Sequence, residues 1–158
     1  MPEQETLERA RADKRAGKAP STQAGEFVRE EIHHVREGKH GVQSTKQAIA
    51  IGLSKARRAG VDLPPPPKSA KAKTKQSAKY ASEAASDGRK PPSPRRSRAI
   101  TRALKHEGHR AASPKALANQ ARTAARRRSP AARSAAAQRA AQTRRRRGTT
   151  RRRRSTAE

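Results

Sequence analysis

Leucine, isoleucine, valine and phenylalanine together number 14 in this chain of 158 residues, and ten of the 14 lie between Phe27 and Leu63. Folding must offset the entropy of ordering the chain by removing apolar surface from water, and a highly charged chain with less than about 20% of these residue types falls in the range expected for disorder. One segment alone is therefore expected to build a core. At about 40 residues it lies in the size range where a core is marginal without a disulfide, a metal or a partner. The chain has no cysteine, which excludes disulfides and thiolate zinc sites.

From Gly25 the apolar residues fall into a helical pattern. Val28, Ile32 and Val35 recur along one stripe with Phe27 at its margin, and Gly38 supplies a left-handed stop. Ser44 and Gln47 have the spacing of a capping box opening a second helix, on which Ile49, Leu53 and Ala56 share a face and Ile51 lies off it. Gly60 ends that helix, and Pro64 to Pro67 form a polyproline spacer that cannot continue it. The pattern predicts a helical hairpin over residues 25–63, between a disordered polar N-terminus (1–24) and a Pro/Lys-rich linker (64–92). Ile51, apolar but off the core face, is the position expected to serve a homodimer or a protein partner.

Beyond the linker, Ser93-Pro94, Ser113-Pro114 and Ser129-Pro130 each set a capping hydroxyl before a proline suited to the first helical position, with Gly108 and Gly148 as stops. The segments between are rich in Ala and Arg, good helix formers, yet offer only Ile100, Leu104 and Leu117 as large apolar residues. Residues 93–158 thus read as a basic tail whose helices form mainly when a polyanion neutralises them. The expected fold is a small all-α helical hairpin with a long, mostly disordered or conditionally helical basic tail.

Charge divides the chain at the same place. Residues 1–63 hold 12 Lys/Arg and nine Asp/Glu, whereas residues 64–158 hold 28 and four, including the arginine blocks 144–147 and 151–154. Such a tail repels itself in water and calls for a dense polyanion. Duplex DNA carries one negative charge per ~1.7 Å of axis, so these cations match the phosphates of roughly 14 base pairs. The candidate DNA-binding residues are Arg95, Arg96, Arg98, Arg126, Arg127, Arg128, Arg144, Arg145, Arg146, Arg147, Arg151, Arg152, Arg153 and Arg154, with Lys46, Arg57 and Arg58 on the hairpin. A helix-turn-helix reading would also turn Gln47, Ala50 and Ser54 toward a groove. RNA is the competing partner, but proteins that read single strands stack bases on aromatic rings, and this chain offers only Phe27 and Tyr80.

The run STKQAIAIGLSKARRAG, Ser44 to Gly60, with GEFVREEIHHVREGKHG before it, resembles an uncharacterised family of small, basic bacterial proteins often described as DNA-binding. Its Ala/Lys/Arg-rich tail is similar in composition to those of linker histones, and Ser93-Pro94-Arg95-Arg96 is similar to the SPRR turns associated with A/T-rich minor grooves. The resemblance implies a class and a bacterial source more than a mechanism, and it supplies no catalytic residues. It is the cationic tail, with few Asn or Gln to read bases, that predicts largely sequence-independent, histone-like binding and condensation of DNA by a nucleoid-associated protein.

The residues themselves point away from an enzyme. No phosphate-cradling Gly loop and no nucleophile paired with a base is apparent, and the core is too small to shape a dry pocket for a small-molecule substrate. His33, His34 and His40 with Glu30, Glu31 and Glu37 are read as a solvated charged face, so no metal or other cofactor is expected. No stretch reaches the length of a membrane span, and the acidic start, Glu3, Glu5 and Glu8, lacks the order of a signal peptide; a cytoplasmic location is expected.

Overall fold

In the computed structural model, which describes residues 2–86 and 93–155 with side chains through Arg145, the stretch before Gly25 is helical rather than disordered. Helix α1 (Gln4–Arg15) places Glu5 in its first turn and Lys14 and Arg15 in its last, as the helix dipole favours. Helix α2 (Pro20–Arg36) starts on a proline, five residues ahead of the expected boundary. Helix α3 (Thr45–Arg58) follows after the Gly38 turn, whose φ of 77° is left-handed. Helices α4 (Ala72–Ser86), α5 (Pro94–Lys105), α6 (Pro114–Arg126) and α7 (Pro130–Ser155) complete the described elements, with a 3-10 turn at Arg110–Ala112. No helix among the described residues is long and apolar enough to cross a membrane.

The expectation of a small hairpin with a mostly disordered or conditionally helical tail is therefore overturned: the chain is a seven-helix, all-α protein over its described residues. Two physical causes explain the difference. Local signals suffice to start helices: the hydroxyls of Ser93, Ser113 and Ser129 accept hydrogen bonds from the amides of Arg96, Ala116 and Ala132 at 3.4, 3.3 and 3.2 Å, and Ala and Arg then propagate them. Gly148 does not stop α7, which runs through it. The second cause is tertiary. The chain forms two compact units, Met1–Leu117 and Ala118–Glu158, so that a quarter-century of residues assigned to the tail belongs to the first unit.

That docking is made largely by backbone. The amides of Gly41 and Val42 donate to the carbonyls of Leu104 and Gly108 at 2.9 and 3.0 Å. Thr45 Oγ1 donates to Ala111 O at 2.6 Å, Arg36 Nε to Ala112 O at 2.8 Å and His109 Nδ1 to Val35 O at 2.9 Å. A Cβ on Gly41 would lie 1.8 Å from the Glu107 carbonyl oxygen, so only glycine allows this approach. Ala112 is fully buried with Val35, Val42 and Ala48, and Ile32, Ile51 and Ala111 pack around them. Ile51, read as facing off the core, is half-buried against this second cluster, which Ala112 completes.

The first cluster joins Ala10, Ala24, Phe27, Ala56 and Val61, flanked by Leu7, Leu53 and Leu63. Phe27, expected at the margin of its stripe, is the largest of the fully buried side chains. On α3 the buried positions are Thr45, Ala48, Gly52 and Ala56, one helical turn apart, while Ile49 and Leu53 flank that seam only half-buried. Small residues win the seam because they let α2 and α3 approach closely. A Cβ at Gly52 would meet Val28 Cα at 2.7 Å and its backbone nitrogen at 3.0 Å. Gly52→Ala, although favourable by helix propensity, should therefore destabilise the folded unit by about 1–3 kcal/mol through overpacking, read as a lowered midpoint in urea unfolding.

Candidate nucleic-acid interface

The same fold sorts the charges. Among the described residues the ion pairs gather between Glu3 and Lys55, with Lys79–Glu83 at 3.8 Å beyond them. Arg9 bridges Glu5 and Glu26, the latter at 2.9 Å, and joins α1 to α2. Lys55 of α3 reaches Glu30 at 3.0 Å and Glu31 at 2.8 Å, both on α2 and both nearly inaccessible to solvent. Glu26, Glu30 and Glu31 thus face inward and hold α1 and α3 to α2.

Burial raises the Glu30 carboxyl, but the Glu3 amide, Lys55 and Thr6 outweigh it and hold the group below the ordinary carboxylate range. Hydrogen bonds from His34 and Lys39 hold Glu3 down at about 2. Burial acts to lower Lys55 too, yet its contacts with Glu31 and Glu30 leave it raised above 10.5.

The candidate DNA-binding residues separate into groups by position. On α5, Arg95 and Arg98 fall with Arg102 and Lys105 on one exposed stripe, at helical spacings of three, four and three, and Arg96 is exposed beside it. The opposite side carries Ile100 and the half-buried Leu104. Arg126 closes α6, where it shares an exposed stripe with Asn119 and Arg122, and Arg127 and Arg128 are exposed in the turn after it. Arg144 and Arg145 are exposed on α7; Arg146, Arg147 and Arg151 to Arg154 lie on the same helix, with side chains outside those described.

The hairpin group is divided. Lys46 and Arg58 are exposed, but Arg57 is half-buried, donates from Nη2 to the Pro64 carbonyl at 3.0 Å, and is lowered by burial. It fastens the end of α3 to the proline run. Gln47 is likewise engaged: its amide donates to Ser44 Oγ at 3.2 Å and its side chain accepts from the Gln43 amide at 2.9 Å, one residue earlier than a capping box would have it. Ala50 is exposed and Ser54 half-buried, so the five helix-turn-helix positions do not form one free reading face. The amphipathic α5, with Arg102 and Lys105, is the surface that sequence reasoning missed; the i, i+3, i+7, i+10 spacing of its cations was the signal for it.

Residues 11–68 match a family of unknown function (DUF6496). The match spans the end of α1, all of α2 and α3 and the proline run, and stops short of the arginine-rich helices. No curated protein and no solved structure matches the chain.

The hydrogen-bonded carboxylates of Glu3 and Glu30 give a pH signature. Unfolding returns Glu3 and Glu30 toward 4.5, so between about 4.5 and 2 the unfolded chain binds protons that the folded one does not, and stability must fall with pH. Lys55, raised when folded, contributes stability that is lost as the pH climbs beyond 10.5. Thermal melts followed by circular dichroism should show a flat midpoint near neutrality and a decline below about pH 4.5, and Glu3→Gln should shallow that decline.

Proposed function

We propose that this protein is a non-enzymatic, largely sequence-independent binder of duplex DNA that coats and condenses it as a nucleoid-associated, histone-like protein. The observation that carries the reading lies in the second unit. Residues 118–158 contain 14 arginines, no lysine and one acid, Glu158. Among the described residues Arg122, Arg126, Arg127, Arg128, Arg133, Arg139 and Arg144 are exposed, and none of them has a carboxylate partner. Residues 1–117, by contrast, hold 12 acids among 26 Lys/Arg, and Glu26, Glu30 and Glu31 are drawn into ion pairs between helices. A surface so uniformly cationic gains from releasing the counterions of a polyphosphate, and arginine forms bidentate contacts with phosphate and enters narrow minor grooves. Helix α7, at 26 residues about 39 Å long, is comparable in length to a turn of duplex, ~34 Å.

Phosphate contacts position a protein without reading sequence, and the arginine surfaces carry few side chains suited to adenine: Asn119, Gln120, Gln138 and Gln142 are the amides on α6 and α7. Phe27 is buried and unavailable for base stacking, which leaves Tyr80 as the exposed aromatic ring. Both features support duplex over single-stranded RNA.

Deleting residues 144–154 removes eight arginines, and the slope of log affinity against log salt should then flatten by up to ~7 units if all of them touch phosphate. An unchanged slope and affinity would place the anchor elsewhere. Competition binding near physiological salt decides the rest. Random, A/T-rich and G/C-rich duplexes of equal length should compete within roughly tenfold, far below the ~1,000-fold preference of a specific regulator. A large preference for a single-stranded RNA competitor would overturn the DNA assignment, and one for a single duplex would overturn sequence-independent coating.

A further inference from the structure

Glu31, His34 and His40 were expected on a solvated face, and the fold brings them together instead. Glu31 and His34 stand three residues apart on α2 and so share one side of the helix. The left-handed turn at Gly38 carries the chain back, so that His40, arriving from the loop, joins them. One carboxylate oxygen of Glu31 and one ring nitrogen from each histidine lie within 4.8 Å of one another. Glu31 is 1% exposed, His34 is buried, and the His40 side chain is 16% exposed.

We propose that these three side chains form a binding site for one divalent cation of the zinc type. The first support is the donor set. Two imidazoles and a carboxylate are the borderline nitrogen and oxygen ligands that zinc takes from a chain without cysteine. The second support is spacing. A tetrahedral zinc about 2.1 Å from each ligand sets its ligand atoms roughly 3.4 Å apart, and Glu31 Oε1 and His40 Nε2 already stand 3.2 Å apart. Side-chain movement of about 1–1.5 Å brings the widest pair in the set to the same spacing.

The third support is independent of both. The ammonium of Lys55 stands 2.8 Å from Glu31 Oε2, but the buried Oε1 makes no hydrogen bond and has the His40 ring nitrogen beside it at 3.2 Å. A buried carboxylate oxygen with an unfilled acceptor site is rare and costly. A cation on Oε1 would fill it and leave Lys55 in place on Oε2. The two rings are also held as ligating imidazoles are: His34 Nε2 donates to Glu3 Oε1 at 2.8 Å, and His40 Nδ1 donates to Gly41 O at 3.1 Å. A cation there would tie α2 to the loop that packs against residues 104–108, and so add stability to a small core.

The test uses the full-length chain stripped of metal by a chelator and titrated with Zn²⁺ alone, followed by calorimetry and thermal melting. One Zn²⁺ should bind per chain, and saturation should raise the melting midpoint by about 5 °C or more, because the unfolded chain lacks the assembled site. His40→Ala, at the least buried ligand, should weaken binding by about 100-fold or more, and Glu3→Ala, which removes the partner of His34, by about 10–100-fold. His33→Ala should change neither, since His33 faces solvent and pairs with Glu37 at 2.9 Å. Co²⁺ in place of Zn²⁺ should give the visible absorption of a low-coordinate site in the wild type and not in His40→Ala. Circular dichroism of each variant without metal checks that it folds. Absence of one-to-one binding or of a stabilised wild type, or equal binding by His40→Ala and wild type, would overturn the site.

Discussion

The close approach of α2 and α3 is the constraint on which the rest of the first unit depends. A chain this poor in large apolar residues cannot separate its helices by two layers of leucine and fill the space between them. It brings backbones together instead, with Gly52 against Val28 and Ala48 and Ala56 fully buried on either side. Dispersion contacts between closely set backbones then replace part of the area that bulky side chains would have buried. The few large residues, Phe27, Val35, Val42 and Val61, are placed at the two ends of this seam in separate clusters. Once the seam is this narrow, Lys55 of α3 is close enough to reach both Glu30 and Glu31 of α2, and the polar arrangement around Glu31 follows from it.

The second organising feature is the sorting of charge. Three carboxylates of the first unit are drawn between helices and held by specific cations or amides: Glu26 by Arg9, Glu30 by the Glu3 amide at 3.1 Å and by Lys55, and Glu31 by Lys55. The arginines of the second unit have almost no acids in their own sequence to pair with. Intramolecular pairing thus occupies acids of the first unit, which still carries 26 Lys/Arg against 12 Asp/Glu, whereas the second unit, with 14 Arg against one acid, has almost none with which to compensate its field. This is the physical basis of the DNA-binding proposal, and it does not depend on the two units adopting a particular arrangement. Helix formation in the arginine-rich part sets the cations at defined helical intervals, which a disordered tail would not do.

The cluster of Glu31, His34 and His40 connects the two themes. It sits where the α2–α3 turn meets the carbonyls of residues 104–108, so the polar groups there lie at the joint between the hairpin and the segment that extends its core. The residues matched by the family of unknown function include all three, whereas Glu3, which holds His34, lies outside that span.

Much of the local structure was legible in the sequence. Ser44, Ser93, Ser113 and Ser129 cap helices as their spacing indicated, and Gly38 and Gly60 adopt the left-handed conformations expected of stops. Capping is settled by residues within one turn of each other, so sequence alone determines it. The charge division is likewise a property of the sequence. What only the tertiary structure decided was which residues count as core. Helix α1, with Leu7 its only large apolar side chain, looked too polar to fold, but Thr6, Ala10 and Asp13 are buried because α2 and its charged partners cover them. Ile51 is half-buried because it packs against a cluster of Val35, Val42 and Ala48 that Ala112, more than 50 residues away, completes. His34 and Glu31 left the solvated face because Glu3 of α1 pairs with His34, and Lys55 of α3 and His40 pair with Glu31. A helical wheel assigns a face by the size of its side chains, whereas burial is decided by what packs against that face, and long-range backbone hydrogen bonds such as Gly41 to Leu104 leave no periodicity to be read.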